Sequence, residues 1–513
     1  MKNFSGHGAM VRPNLVPLEQ EGEISRKMLF APQWDLLPRQ LAMTELLTEG
    51  ALSPLRGFMT EKEAGRVIVE KKLPSGLFWP LPLILDVPEA FAEKAQEGWV
   101  GLRDPEGLLV AAMQVHEVWP LKETMVVSEG TGVFSQAPHP VALAGEVWGF
   151  GPAHHYDFSR YWKPLIELRE DLEAQGKSTC LGFFPLGVPG KKVLQELLDA
   201  ARALQASLLV LAPFGRAPLG VYRHFARTKA LLSWLEHASC PARLRLLPVE
   251  LASWQEDALG LAAVLAKNFG VTHLALPQGT STESLRQAGI EPVFLEGKEA
   301  SLAALEQGFT QEPQTLRENF FEEEFAELQK AFPPPRDQGF TVFFTGLSGS
   351  GKSTLAHAVT VRLMEMGKTR VTLLDGDIVR KNLSSELGFS REHRDLNIRR
   401  IGFVASEITK AGGVAICAPI APYAATRQDV RQAISKTGGF FEVYVSTPLE
   451  VCEKRDRKGL YAKARQGLIK EFTGISDPYE VPENPEVVVD TSLASPEACV
   501  EKILSAIRAA GFL

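Results

Sequence analysis

The stretch GLSGSGKS at residues 346–353 has the spacing G-x-x-x-x-G-K-S, in which glycines let a loop curl around phosphate oxygens. Inward-turned backbone N–H groups supply the hydrogen bonds, and the helix that must follow adds the partial positive charge of its N-terminus. Lys352 is placed to reach the β- and γ-phosphates of a nucleotide, and the Ser353 hydroxyl to help hold Mg²⁺. The ATP-binding candidates are therefore Gly346, Leu347, Ser348, Gly349, Ser350, Gly351, Lys352, Ser353 and Thr354. Further on, LLDGDIVR at 373–380 carries Asp375 and Asp377 where a second strand should end, beside the loop. One such carboxylate can take the proton of an incoming hydroxyl or order the metal. The pattern supports phosphoryl transfer.

That chemistry needs a strand before the loop and a helix after it. Residues 341–345, TVFFT, read as a short buried strand, and the spacing from Ser353 onward is that of an amphipathic helix ending at Gly367. Upstream, ENFFEEEFAELQKAF at 318–332 reads as an acidic helix with a solvated face, and PPPRDQG at 333–339 stops it. Proline lacks the N–H that a helix would use and stiffens a spacer, so the last domain boundary is placed there. Residues 151–330 alternate helical periodicity with short apolar runs. VLQELLDAARALQA (193–206) leads into SLLVLAPF (207–214), and LGLAAVLAKNFG (259–270) into VTHLALP (271–277). Such alternation implies a parallel α/β sheet. Residues 1–150 are proline-rich, and turn signals such as RDPEG (103–107) separate runs such as WPLPLILDV (79–87) and LLVAAMQVHEV (108–118). They read as a mostly β domain.

A chain of 513 residues is too long for one ordinary core. It is 45% hydrophobic and 23% charged, and its net charge of −7 gives no electrostatic reason to expect a nucleic-acid partner. Cys180, Cys240, Cys417, Cys452 and Cys499 are scattered without metal-ligand spacing and read as reduced thiols. The opening MKNFSGHGAMVRPNLV lacks the apolar core of a signal peptide, and no apolar run approaches the about 20 residues that span a bilayer. A cytoplasmic protein without a membrane partner is expected.

Beyond the phosphate loop come LGFSREHRDLNIRRIGFVA (387–405), ICAPIAPYAATR (416–427), FEVYVSTPLEVCEKRDRKGLYAKAR (441–465) and IKEFTGISDPYEVPENPEVVVDT (469–491), in that order. In these blocks the C-terminal third resembles the adenylylsulfate (APS) kinases, which transfer the ATP γ-phosphoryl group to the 3′-hydroxyl of APS to give PAPS and ADP. The resemblance implies Asp377 as the base and, with Ser353, a Mg²⁺ contact, with Asp375 assisting. An anionic nucleotide substrate needs donors and a stacking surface. Arg380, Arg394 and Asn397 supply the donors, guanidinium being suited to bidentate oxyanion binding, and Phe389 is the adenine-stacking candidate. The family pattern adds Ile420, Phe472, Thr473 and Gly474 to the substrate site. It also places Lys458 and Arg465 in a mobile segment able to close over the phosphates. The chain departs from some members at Ala421, where a serine has been considered a phosphoenzyme site. Alanine cannot carry phosphate, so direct in-line transfer is expected.

The front of the chain resembles ATP sulfurylase. GALSPLRGFM (50–59), WPLPLILDV and LRDPEG (102–107) are similar to the PUA-like domain of that family, and AKNFGVTH (266–273) keeps the frame of its catalytic domain. The implied fold class is α/β. It comprises a mostly β PUA-like domain at 1–150, a Rossmann-like nucleotidyltransferase α/β domain at 151–332, a linker at 333–339 and a P-loop α/β kinase domain at 340–513. Such a fusion suggests a bifunctional PAPS synthetase, but the residues argue against it. Sulfurylases carry Q-T-R-N-P-x-H-x-x-H, and in register this chain reads FPLGVPGKKV (184–193). Phe184 replaces Gln, Leu186 Arg, Gly187 Asn, and Gly190 and Val193 the two histidines. PQGTST (277–282) stands for G-R-D-H-A-G, and APFGR (212–216) for H-P-L-V-G. LASWQEDA (251–258) stands for M-R-Y-A-G-P-R-E, with Ala252 and Asp257 where arginines belong. Lys191 and Lys192 are the cations nearby. Stabilisation of developing charge is usually the largest catalytic term. A retained fold without sulfurylase catalysis, structural or regulatory, is expected; the alternative is a chain with both activities. Self-association in both families implies a homo-oligomer, a dimer or a hexamer.

Overall fold

Phe340, Val342 and Phe344 alternate along one strand with Thr341, Phe343 and Thr345, and all six are buried. Period-two alternation sends the two sets to opposite faces of a sheet, so both faces must be covered. The computed structural model describes residues 4–96, 98–121, 139–215, 222–240, 242–251, 253–311, 313–388, 390–456, 459–469 and 471–513, with Tyr222, Thr310 and Asp377 described in backbone alone. It divides into two compact units, Met1–Phe332 and Pro333–Leu513.

In the second unit five parallel strands run in the order Val371–Asp375, Val414–Ala418, Phe340–Thr345, Gly439–Val445, Val487–Val489. Leu355, Val359 and Leu363 of the Lys352–Glu365 helix and Ile503, Leu504 and Ile507 of the Pro496–Ala509 helix pack with Phe340, Val342 and Phe344. Phe343 meets Ile398, Ile401 and Ala405 of Arg391–Lys410 and Val430 and Ile434 of Ala424–Ser435 on the other face. Burying each such side chain contributes about 1.5–3 kcal/mol. Local chemistry sets the helix starts. The Ser390 hydroxyl accepts the His393 N–H, and the Ser495 hydroxyl that of Ala498, with Pro496 at the first turn. The connection after Phe340–Thr345 leaves in one direction and that after its neighbour Gly439–Val445 in the other, which opens a crevice at their carboxyl ends.

The first unit holds two larger sheets. One has six strands, Gln33–Asp35, Trp99–Arg103, Leu109–Pro120, Val141–Gly149 and Gly57–Phe58 in order, with Leu85–Val87 also paired to Val141–Gly149. Leu18–Met28, Pro38–Thr48 and Glu61–Glu70 are helices beside it, more helix than the strand-like texture of the sequence suggests. The other sheet is parallel, in the order Ala242–Leu246, Ser207–Ala212, Cys180–Phe183, His273–Pro277, Glu291–Leu295. One apolar core runs from Phe4 through Trp119 and Val147 to Phe184, Leu259 and Ile290, so the two sheets share it. Asn268 stitches them: its Oδ1 accepts the His7 N–H at 2.8 Å and its Nδ2 donates to the Ala51 and Ser53 carbonyls at 2.8 and 3.0 Å.

The acidic helix differs from expectation. It is two helices, Pro313–Asn319 and Glu322–Ala331, and Glu324 is fully buried rather than solvated. The reason is a cap: Glu324 Oε2 accepts the Phe321 N–H at 3.2 Å while Phe325 and Leu328 enter the core. Cys180, Cys417, Cys452 and Cys499 are buried free thiols and Cys240 is partly exposed.

Candidate active site

The phosphate loop leaves the Phe340–Thr345 strand and enters the Lys352–Glu365 helix, as its spacing requires. Gly351 sits at φ 102°, and a Cβ there would lie 3.0 Å from Thr491 Cγ2, so the turn into the helix needs glycine. Lys352 is buried, and its Nζ donates to the Gly346 and Leu347 carbonyls at 2.9 and 2.7 Å, inside the curve of the loop. Ser353 and Thr354 are exposed in the first helical turn. Ser350 is buried, and its carbonyl accepts from Thr447 Oγ1 at 3.1 Å and Thr491 Oγ1 at 2.8 Å. Tyr461 Oη donates to the Ser348 carbonyl at 2.8 Å, and burial pushes that phenol well above its usual range. Arg455 Nη1 reaches Thr491 Oγ1 at 2.7 Å. Thr447, Arg455, Tyr461 and Thr491 thus fix the loop from outside. Sequence reasoning gave none of them a role.

Asp375 ends the Val371–Asp375 strand and is buried, with Asp377 in the following Gly376–Leu383 helix. The Val414–Ala418 strand lies between Asp375 and the loop-bearing strand. The loop after Val414–Ala418 bridges that gap: the Ile420 carbonyl accepts the Gly346 N–H at 3.3 Å and the Thr345 hydroxyl at 2.7 Å. Ala421 follows at φ 47°, a left-handed residue whose carbonyl takes Arg427 Nη1 at 2.8 Å.

Arg394 and Asn397, three residues apart, share one face of the Arg391–Lys410 helix. Arg394 Nη1 donates to Thr473 Oγ1 at 2.9 Å and pairs with Asp477 Oδ2 at 2.8 Å. Its buried Nε and Nη2, and the buried Asn397 Oδ1, have no hydrogen-bond partner among the described residues. Asp477 Oδ2 also accepts the Tyr423 hydroxyl at 2.8 Å, and burial followed by that bond raises the Tyr423 phenol to about 12. Phe472 sets its ring edge-on to Tyr461 at 5.0 Å, which couples the 472–474 loop to the phosphate loop through the Tyr461–Ser348 bond. A groove of about 590 Å³ opens between Leu347, Tyr444, Thr447, Gly474, Asp477 and Tyr479. Arg394, Ile420, Phe472, Thr473 and Gly474 therefore gather about the loops at the carboxyl ends of the strands, with Asn397 one turn along the helix from Arg394.

Two candidates hold other protein groups. Arg380 Nη1 donates to the Leu387 and Gly388 carbonyls at 3.0 and 3.1 Å, holding the loop ahead of Ser390. Arg465, expected over the phosphates, forks onto Glu453 at 2.8 and 3.0 Å because the opposite charge is close by on a neighbouring helix. Phe389, Lys458 and the Asp377 side chain lie outside the described residues.

In the first unit, Phe184 and Val193 are core residues and Leu186 packs against the core. Asp257 is not the uncompensated charge that the sequence suggests: Lys71 Nζ lies 2.6 Å from it. Lys191 Nζ donates to the Glu318 carbonyl at 3.2 Å and Lys192 pairs with Glu296 at 3.2 Å. Arg216 and Ala252 lie outside the described residues.

Comparison with known proteins agrees with this layout. A family model described as adenylylsulphate kinase matches residues 338–490, and one described as PUA-like domain matches residues 4–142. The sulfate adenylyltransferase of Phaeosphaeria nodorum is 34% identical over 93% of both chains, and that of Emericella nidulans 35% identical over 94% of both. Among solved structures, the hexameric APS kinase from Thiobacillus denitrificans is 33% identical, matches all of both chains and superposes with a TM-score of 0.83. No helix among the described residues is long and apolar enough to cross a membrane. The chain belongs to the family of these full-length sulfate adenylyltransferases and APS kinases, and its C-terminal unit is an adenylylsulfate kinase.

Proposed function

We propose that the chain moves the ATP γ-phosphoryl group directly to the 3′-hydroxyl of APS, giving PAPS and ADP, and that its front unit is a retained fold without sulfurylase catalysis. The observation that carries the kinase reading is a pair of cations: Lys352 inside the phosphate loop, and Arg394, whose buried Nε and Nη2 have no hydrogen-bond partner among the described residues. Lys352 neutralises charge on the transferred group, and Arg394, Asn397 and Thr473 orient the sulfate–phosphate anhydride. Asp377 accepts the proton of the attacking hydroxyl, with Asp375 beside it.

Mg²⁺ fits this donor set. The Ser353 hydroxyl is exposed at the helix start and Asp375 ends a strand, both hard oxygen ligands, and Mg²⁺ commonly takes one or two such groups plus nucleotide phosphates. When bound with ATP it would offset charge on the β- and γ-oxygens. Ser353 and Asp377, two residues beyond Asp375 in the helix that follows that strand, would hold it.

The reading divides the chain at 1–150, 151–332 and 340–513, and assigns it a cytoplasmic homo-oligomer. The hexameric state of the Thiobacillus relative, which matches this chain from end to end, supports a hexamer. Sedimentation of the full-length chain tests this, and a strict monomer would refute it. The second reading is a bifunctional PAPS synthetase, favoured by the names of the fungal relatives. Incubating the purified chain with ATP plus APS, and separately with ATP plus sulfate, decides. PAPS in the first and no pyrophosphate in the second is the expected pair.

A further inference from the structure

Two loops of the second unit, 346–351 and 472–474, touch each other directly and through Tyr461. A Cβ on Gly474, which sits at φ 90°, would stand 2.9 Å from Leu347 Cδ2, so the backbone of the second loop lies against the first. Tyr461, on the Leu460–Arg465 helix, makes the other connection. Its hydroxyl donates to the Ser348 carbonyl at 2.8 Å, and its ring meets that of Phe472 edge-on with 5.0 Å between centres. The helix that carries Tyr461 is itself anchored: Asp456 Oδ1 accepts the Tyr461 N–H at 3.1 Å and Oδ2 the Ala462 N–H at 3.0 Å. Tyr461 is buried, and a buried hydroxyl keeps its acceptor because leaving it unbonded is costly.

The bond to Ser348 reaches further than one carbonyl. The Ser348 C=O and the Gly349 N–H belong to one planar trans peptide and point opposite ways. Tyr461 takes the oxygen from outside the loop, so it turns the Gly349 N–H inward, where nucleotide phosphates would lie. On the other loop, Thr473 follows Phe472 and accepts from Arg394 Nη1 at 2.9 Å. Tyr461 thus has a phosphate-facing amide at one end and the loop that holds the substrate arginine at the other.

We propose that Tyr461 is a positioning residue that couples the two substrates: phosphates settling on the Gly349 amide shift the Ser348 peptide, and Tyr461 passes that shift to Phe472 and its loop. The inference rests on the kinase reading of the two loops and names the residue through which one ligand alters the affinity for the other. The first ligand to settle fixes the shared link, so the second finds it already in place. Coupling of this kind is reciprocal.

Calorimetry on the full-length wild type and Y461F tests it. The affinity for the Mg²⁺ complex of a β,γ-imido ATP analogue is measured without and with saturating APS, and the affinity for APS without and with the analogue. In the wild type each ligand should tighten the other by about fivefold or more. Y461F keeps the ring and loses only the hydroxyl, and there the factor should fall to within about twofold of one. A purely structural role would weaken both ligands and leave the factor unchanged, and that result overturns the proposal. A wild type that binds both ligands independently also overturns it, while the kinase reading stands; a wild type that binds neither refutes that reading and this inference with it. If Y461F does not fold, judged by near-UV circular dichroism, F472L takes its place, since it removes the ring that Tyr461 meets. A factor near one then supports the coupling, and a wild-type factor refutes it.

Discussion

Arg394 Nη1 lies 2.8 Å from Asp477 Oδ2, and the same carboxylate oxygen accepts the Tyr423 hydroxyl at 2.8 Å. One end of the Arg394 fork is thereby tied to the loop that also carries Thr473 and Gly474, while its Nε and Nη2 are buried without a partner among the described residues. Such groups cost free energy unless something accepts from them, and an anionic substrate is a suitable acceptor.

Asp477→Asn keeps the shape and removes the charge that orients Arg394. The KM for APS should rise about tenfold, on the order of 1.4 kcal/mol, with the KM for ATP little changed. Steady-state kinetics with each substrate varied separately checks this. Equal losses for both substrates would mean that Asp477 serves the fold and not the substrate arginine.

Lys352→Ala should lower kcat by about 10³-fold, because a charge aimed at the transferred group is removed from a largely buried site. Asp377→Asn should still bind ATP, measured by calorimetry, yet fail to release PAPS. Near-wild-type turnover in either variant contradicts the roles given to them.

The phosphate loop was legible because its chemistry is local: strand, glycines and helix follow one another within one stretch of sequence. The parallel sheets were legible from alternating helical and apolar runs. Contacts across long separations were not. Tyr461 on Ser348, Asp477 on Arg394 and Lys71 on Asp257 leave no periodic trace, and Asp257 read as a bare charge for that reason. Glu324 read as solvated because acidic runs usually are. Its buried capping bond depends on Phe325 and Leu328 turning inward, and burial pushes its carboxyl up to about 8.

Glu299 gives a pH dependence with a definite sign. Burial, outweighing the Gly187 N–H and Arg227, raises its carboxyl from 4.5 to about 7. A carboxyl raised in the folded state contributes stability that is present below pH 4.5 and is lost as pH rises through about 7. Arg227, the charged neighbour, is lowered by burial to about 10 and stays protonated across that window. Glu299→Gln should flatten the loss, which amounts to at most about 3 kcal/mol and is reduced by solvent reaching the partly exposed residue. Denaturant midpoints of wild type and variant from pH 5 to 8 measure it, and parallel curves would show that Glu299 does not titrate there.

The first unit should show no sulfurylase activity in either direction. That reaction sets a sulfate dianion against the α-phosphate of ATP, and at ~4 Å two unit charges repel by about 4 kcal/mol at an effective dielectric of 20. Cations must offset this. Phe184 and Val193 are core side chains here, and Gly187 and Gly190 are closed over by the Ala300 and Asn319 backbone. Lys71 already neutralises Asp257, so that residue adds little repulsion; the deficit is the missing positive charge together with the closed loop. Loss of one electrostatic contact commonly costs about 10²–10³ in rate, and several are missing together. Restoring a single residue, as in Leu186→Arg, should therefore leave the chain inactive, and Gly187→Asn should destabilise the unit by forcing Glu299–Ala300 off the loop. ATP formed from APS and pyrophosphate by the wild-type chain, above a buffer control, would show that the closed loop opens or that another site does the work.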